Sequence, residues 1–150
     1  MRYVKKVGII LVLLLIVGFC VENIMLHPFR GSAFDILNIS EEQIIEVRIN
    51  HYGKTVKITE PEQVSAIVSL FRCQLERRGT DYIGHSNGVD WYVSFVSNEG
   101  VEKGFILYPR NGEASLDKSQ IKIGHYYYAC DTVVDISFIR DCWEVASTQS

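Results

Sequence analysis

The longest apolar stretch of the chain lies at its N-terminus. Residues 7–21 are apolar or glycine throughout, and three basic residues precede them. As a helix this run would rise about 22 Å, against roughly 30 Å for a hydrocarbon core, and residues 24–26 can extend it. Because a cationic start comes before a stretch that is apolar on every face, we expect a signal peptide or an uncleaved transmembrane anchor over residues 1–26.

The sequence leaves three outcomes for this segment open. The first is an uncleaved signal anchor. The second is a lipoprotein, since "VGFC" resembles a lipobox ending at Cys20, although Phe19 stands where a small residue is usual. The third is a secreted form, since "GSA" at 31–33 has the small residues of a cleavage site. In the anchored form the membrane is a partner through residues 7–21, and in all three forms the rest of the chain lies outside the cytoplasm.

A mixed segment follows the apolar run. Residues 27–43 combine proline, glycine and serine with a few apolar side chains, which predicts a tether whose "FDIL" portion docks on the domain. The folded domain is assigned to residues 44–146.

Alternation of period two begins at Ile45 and predicts a strand. Ile45, Val47 and Ile49 fall on one face, and polar residues fall on the other. "HYGK" then reverses the chain into "TVKIT", which indicates a hairpin with Gly53 in the turn.

A helix is predicted after this hairpin. Thr59 is the expected N-cap, Glu62 its capping-box partner, and Pro61 lies in the first turn. A single apolar stripe continues at helical spacing: Val64, Ile67, Val68 and Phe71.

The second half of the domain is predicted to contain more strands and a last helix. "LERRGTDYIGHSNG" and "RNGEASLDKSQ" have loop compositions, "VDWYVSFVS" and "VEKGFILYP" are strands, and "IKIGHYYYA" is a strand or a hairpin about Gly124. Thr132 and Asp135 form a capping box before "VVDISFIRDCWEV". This segment is predicted to be a helix that shares one buried face among Val134, Phe138, Cys142 and, at its end, Val145.

These elements together predict an α+β fold. It consists of one N-terminal transmembrane or signal helix and a small antiparallel sheet of about five strands, in the order ββαβββα, with two helices on one face.

The charge distribution argues against nucleic-acid binding. The formal net charge is −3, but three of the 15 basic residues precede the apolar run, and the rest of the chain carries 12 basic against 18 acidic residues. Such a surface repels phosphate backbones, so we expect no nucleic-acid partner.

The only enzyme-like motif is "GHSNG", residues 84–88, which has the spacing of a hydrolase nucleophile elbow around Ser86. Asp117 and His125 could complete a triad in name. A nucleophile elbow needs a strand before the serine and a helix after it, whereas an alternating strand follows here. We therefore interpret the motif as a turn and keep a small envelope hydrolase using Ser86 and His125 as the alternative function.

Three cysteines lie beyond the apolar run. They allow one disulfide, with Cys73 and Cys142 as the first candidate pair because both are assigned to helices on one side of the sheet, and with Cys130 as the alternative partner. Each is equally explained as a small buried residue. The chain has no Cys-x-x-Cys pair, and neither a metal nor a cofactor is predicted.

One aromatic concentration is a candidate binding surface, although packing within the sheet explains it as well. It consists of Trp91, Tyr92, His125, Tyr126, Tyr127 and Tyr128.

The capped helix in "KITEPEQVSAIVSLF", the strand "VDWYVSFVSNEG" and the closing "IKIGHYYYACD" with its helix resemble small anchored or lipoprotein domains of Gram-positive bacteria. The resemblance implies an extracytoplasmic α+β module and transfers no functional residue. We therefore expect a membrane-tethered, non-enzymatic module that binds another envelope protein or a ligand, or serves as an accessory subunit.

Overall fold

The computed structural model describes residues 2–21, 30–79, 90–108, 115–116, 121–131 and 134–148. Its helices are α1 (Arg2–Cys20), α2 (Ala33–Leu37), α3 (Pro61–Leu70) and α4 (Ser137–Thr148), with a short 3-10 helix at Glu41–Gln43. Its strands are β1 (Arg30–Ser32), β2 (Ile44–His51), β3 (Lys54–Ile58), β4 (Gln74–Gly79), β5 (Trp91–Ser97), β6 (Glu102–Leu107), β7 (Ser115–Leu116), β8 (Ile121–Ile123), β9 (Tyr126–Cys130) and β10 (Val134–Asp135).

Eight of these strands form one antiparallel sheet in the order β1-β4-β9-β8-β6-β5-β2-β3, and β7 pairs with β10 in a separate two-stranded sheet. The α+β class and the antiparallel sheet are confirmed. The expected count of about five strands is wrong for the described residues, because the sequence analysis placed β4 in a loop and β1 in the tether. In β4, "QLERRG", only Leu75 is fully buried, so no alternation marks this strand in the sequence.

Residues 30–39 lie in the segment assigned to the tether, yet they contribute a strand to the sheet and side chains to the core. β1 adds to one edge of the sheet beside β4, and α2 buries Ala33, Phe34, Ile36 and Leu37 in the core. Most of the segment assigned to the tether is therefore part of the domain.

The core lies between one face of the sheet and the helices α2, α3 and α4. Phe95 of β5 lies at its centre. The centroid of its ring is 5.2 Å from that of Phe34 in α2 and 6.2 Å from that of Phe71, which follows α3, and both contacts are edge-to-face. Phe105 of β6 packs on both Phe71 and Phe95. On the same face α3 contacts β2 and α4 contacts β3. The aromatic contacts add to the apolar area that holds the layers together.

The polar face of the sheet carries an ion-pair network. Arg48 of β2 contacts the carboxylates of Glu46 and Glu102, and the hydroxyl of Ser94 donates a hydrogen bond of 2.7 Å to Glu102. Three neighbouring strands are therefore joined by side chains as well as by their backbones.

Both expected tight turns are present. Tyr52 and Gly53 connect β2 to β3 with φ of 51° and 75°, the pair of positive values that a type I′ hairpin needs. The alternative of a hairpin about Gly124 is also confirmed, with β8 paired to β9 and a φ of 59° at Gly124.

The helix after the first hairpin is confirmed, and so is its stripe, since Val64, Ile67, Val68 and Phe71 are all buried. The predicted cap is wrong. Glu60 is the N-cap residue, because Pro61 is the first helical residue and the first turn closes from the amide of Val64 to the carbonyl of Glu60. The Glu60 side chain makes no cap hydrogen bond.

The last helix begins later than predicted. Val134 and Asp135 form β10, and the Asp135 carboxylate accepts a hydrogen bond of 2.8 Å from the amide of Ser137, which lowers the pKa of Asp135. The predicted face is confirmed at Cys142 and wrong at Phe138 and Val145; Val134 is buried too, but in β10 and not in the helix. α4 buries Ile139 and Cys142, whereas Phe138 is 36% and Val145 59% exposed.

α1 carries the N-terminal apolar run. All its side chains from Val7 onward are exposed, as is Val21. Among the described residues, no helix combines the length and the apolar character needed to cross a membrane.

Candidate functional site

A capped helical turn forms one wall of a groove in the domain. The Ser32 hydroxyl accepts a hydrogen bond from the amide of Asp35, and the Asp35 carboxylate accepts one from the amide of Ser32, so both orphan donors are satisfied. At the other end Asn38 adopts a left-handed conformation with φ of 53°, and the amide of Ile39 donates to the carbonyl of Phe34. Hydrogen bonds therefore hold α2 in place at both of its ends.

A β-bulge at the start of β2 forms the second feature of the groove. Ile44 is paired with Ser97, but Glu46 is already paired with Val96, so Ile45 is the extra residue. Ile44 is buried and Ile45 is 56% exposed, which reverses the face predicted for Ile45. A bulge re-aims a side chain, and this one directs an isoleucine to the surface.

The groove lies between the segment from Ser32 to Ile45 and α3, and it encloses about 880 Å³. Its apolar part is made of Phe34, Ile39, Ile44, Ile45, Val64 and Val68. This size and this combination of apolar lining with a few polar groups are typical of ligand-binding clefts.

Acidic side chains dominate the polar rim of the groove. Asp35, Glu41 and Glu42 contribute three carboxylates, and Arg72 contributes one guanidinium. The Arg72 Nε lies 2.8 Å from a carboxylate oxygen of Glu41, so this ion pair joins the two walls. The rim retains an excess of negative charge, which favours a cationic ligand.

A smaller cavity of about 440 Å³ shares this wall. Four residues line both cavities, Phe34, Asp35, Ile39 and Ser40, and the exposed Val101 lines the smaller one. The segment from Phe34 to Ser40 therefore offers two concave surfaces.

The structure divides the six predicted aromatic-surface residues between different environments. Alternation in β5 puts Trp91 on the helix-covered face, where it is buried, and Tyr92 on the opposite face, where it is exposed. Tyr127 is also buried, on the face opposite to Tyr126 and Tyr128. The six residues therefore do not share one surface.

Tyr128 is fully buried, and its hydroxyl has no hydrogen-bond partner within the described part of the chain. Burial raises the pKa of this hydroxyl. His125 is exposed in the β8–β9 turn, and Tyr126 is the first residue of β9.

Trp91 instead belongs to an aromatic cluster with His51, which is buried, and Trp143, which is partly buried. The His51 ring stacks on Trp91 with centroids 3.6 Å apart, and Trp143 of α4 meets both rings edge-on. The His51 Nδ1 lies 3.2 Å from the carbonyl oxygen of Asp90, and burial lowers the pKa of His51. This cluster joins α4 to the sheet and explains why these residues are apolar or aromatic.

All four cysteines are free thiols. The thiols of Cys73 and Cys130, the alternative pair from the sequence, hydrogen-bond to each other. Cys142 lies in α4, which packs on β3 at the opposite edge of the sheet from β1 and β4. Burial raises the pKa of the Cys142 thiol.

Of the nominal catalytic triad, only His125 lies within the described residues. Ser86 and the whole "GHSNG" motif lie outside the described residues, as does Asp117. Within the described residues, no three His, Cys, Asp or Glu side chains are grouped closely enough to hold a metal ion.

The groove is the feature that sequence reasoning missed. Its wall fell in the segment interpreted as a tether, and its exposed isoleucine depends on a bulge that period-two alternation does not reveal. One signal was present, because Ser32 and Asp35 have the Ser-x-x-Asp spacing of a helix start before "FDIL".

We compared the chain with models of known protein families, with curated proteins and with solved structures, and none of the three comparisons found a match.

Proposed function

We propose that this protein is a non-enzymatic binding module, tethered to the outer face of the cytoplasmic membrane by α1. We propose further that it holds a segment of another envelope protein in the groove between α2 and α3. The observation that carries the proposal is Ile45, an isoleucine that a bulge exposes at an acid-rimmed groove.

The exposed isoleucine supports binding because water is an unfavourable environment for it. Full burial of such a side chain by a partner is worth about 1.5–3 kcal/mol. Within β2 the neighbouring apolar residues Ile44, Val47 and Ile49 are all buried, so Ile45 is an exception in its own strand. An apolar centre inside a polar rim is the usual anatomy of a protein-binding patch.

The charge of the rim indicates the chemistry of the partner segment. Three carboxylates against one guanidinium favour a segment that presents a basic side chain next to an apolar one. The apolar side chain would pack on Ile45 and Val64, and the basic group would lie near the exposed Glu42. Attraction of this kind weakens as salt screens the charges.

The tether is supported by the surroundings of α1. Every residue from 7 to 21 is apolar or glycine, and every one is exposed, so this stretch presents apolar surface in all directions. Lipid is the environment in which such a surface is stable. Lipidation of Cys20 or cleavage after the apolar run would still place the domain outside the cytoplasm.

The test is a pull-down of the full-length protein, solubilised in detergent, from its own cells. We compare the wild type with Ile45→Lys, in the groove, and with Val145→Lys, a matched control on α4 with nearly the same exposure. Both positions are exposed, so neither change should cost more than about 0.5 kcal/mol of folding free energy.

We expect one stoichiometric partner with the wild type and with Val145→Lys, and about tenfold less of it with Ile45→Lys at low salt. Recovery of the same partner in equal amount with Ile45→Lys would exclude the groove as the binding site. Recovery of no partner with the wild type would count against the binding function itself.

A further inference from the structure

A second feature of the domain is a pair of thiols between β4 and β9. Leu75 and Cys130 are directly opposite each other in the two strands. Cys73 lies in the bend just before β4 and packs against the same core cluster as Cys130. The two side chains are close enough for a hydrogen bond between the thiols.

The backbone holds the two strands together at this position. The amide of Asp131 donates a hydrogen bond of 2.9 Å to the carbonyl of Gln74, and the amide of Gln74 donates one of 3.1 Å to the carboxylate of Asp131. Both residues are direct neighbours of the two cysteines in the chain. The thiols therefore meet at an anchored point of the sheet, and Cys73, in the bend before β4, can approach Cys130 without breaking the ladder.

We infer that Cys73 and Cys130 form a disulfide once the domain meets an oxidising compartment. The bond links the start of β4 covalently to the end of β9 and closes a loop over residues 73–130, while Cys142 remains a free thiol. This inference concerns the stability of the domain and does not depend on what the groove binds.

The two thiols differ in pKa and in accessibility, and both properties affect disulfide exchange. The hydrogen bond from Cys130 lowers the pKa of Cys73, and Cys73 is also the more accessible of the two. The same hydrogen bond and burial raise the pKa of Cys130. Because Cys73 is the more accessible thiol, it meets the oxidant and attacks first, and the buried Cys130 resolves the intermediate.

The reaction needs an oxidant that itself carries a disulfide, such as oxidised glutathione or a dithiol oxidase. The Cys73 thiolate attacks one sulfur of that disulfide, whose sulfur–sulfur bond breaks to give a mixed disulfide and one free thiol. Cys130 then loses its proton, its sulfur bonds to that of Cys73, and the second oxidant sulfur leaves as a thiol. Two cysteine thiols are oxidised and one oxidant disulfide is reduced to two thiols.

The experiment uses the purified full-length protein in detergent, incubated with oxidised glutathione or with dithiothreitol. Free thiols are then alkylated, and the protein is digested and analysed by mass spectrometry. The variants are Cys73→Ser, Cys130→Ala and the control Cys142→Ser. We expect a Cys73–Cys130 linked peptide from the oxidised wild type and from Cys142→Ser, and none from the other two variants.

Thermal unfolding supplies a second readout. Closing a loop of this length should raise the midpoint of the oxidised wild type by roughly 10 °C over the reduced protein, with no such difference in Cys73→Ser. A linked peptide that joins Cys73 to Cys142, or folded wild-type protein that keeps Cys73 and Cys130 alkylated after oxidation, would overturn the inference. Because the wild type alone gives this result, failure of a variant to fold does not obscure it.

Discussion

Gly104 lies where β5 and β6 approach each other on the polar face of the sheet, opposite Ser94. A Cβ atom added to Gly104 would lie 2.6 Å from the carbonyl oxygen of Val93 and 2.8 Å from the Cβ of Ser94. Contacts this short force the backbone of β5 to move. Gly31 in β1 differs, since a Cβ there would meet its nearest neighbour at 3.5 Å, an ordinary contact.

These two glycines form a matched pair for testing the sheet. We expect Gly104→Ala to lower the free energy of unfolding by about 1–3 kcal/mol, because it overpacks a close strand pair. Gly31→Ala should be neutral, or more stable by up to about 1 kcal/mol, because alanine has less backbone entropy to lose. Urea unfolding of both variants measures the difference. Equal effects of the two changes would contradict the register of β5 and β6.

At the scale of single elements, the sequence was most informative where side chains are buried on one face only. The stripe of α3 and the alternation of Trp91, Val93 and Phe95 in β5 could be predicted because each has one apolar and one polar face. β4 could not, because only Leu75 among its residues is fully buried. Ile45 could not either, since a bulge depends on how two strands pair.

The helix α4 offers a direct comparison of the predicted face with the observed one. The sequence pattern put Phe138 inward, whereas the structure buries Ile139 and leaves Phe138 more than one-third exposed. We expect Ile139→Ala to destabilise the domain by about 2–4 kcal/mol through lost burial and a cavity. Phe138→Ala should cost less than about 1 kcal/mol.

Chemical unfolding followed by circular dichroism ranks these two variants. If Phe138→Ala were the more destabilising change, the face predicted from the sequence would be right and the observed packing of α4 on β3 would be wrong.

At the scale of the whole molecule, the order of the strands in the sheet could not be predicted from the sequence. β1 and β4 lie at the opposite edge of the sheet from β3, although the chain passes through β2 and β3 between them. Local patterns specify which residues form strands and which face is buried, but pairing over long separations depends on packing across the core. Because the thiol pair depends on this long-range order, the sequence alone could offer Cys130 only as an alternative partner. The groove could not be located in the sequence at all.

The central claim for the whole molecule is that the apolar N-terminus holds a folded, acidic domain on the outer face of the membrane. Protease treatment of intact protoplasts tests it most directly, with the full-length protein carrying a C-terminal epitope tag and with a cytosolic protein as the control. We predict that the chain fractionates with membranes and that added protease removes the tag without detergent, while the cytosolic control stays intact. Recovery of the chain in the cytosolic fraction, or a tag that is digested only after detergent is added, would contradict the account.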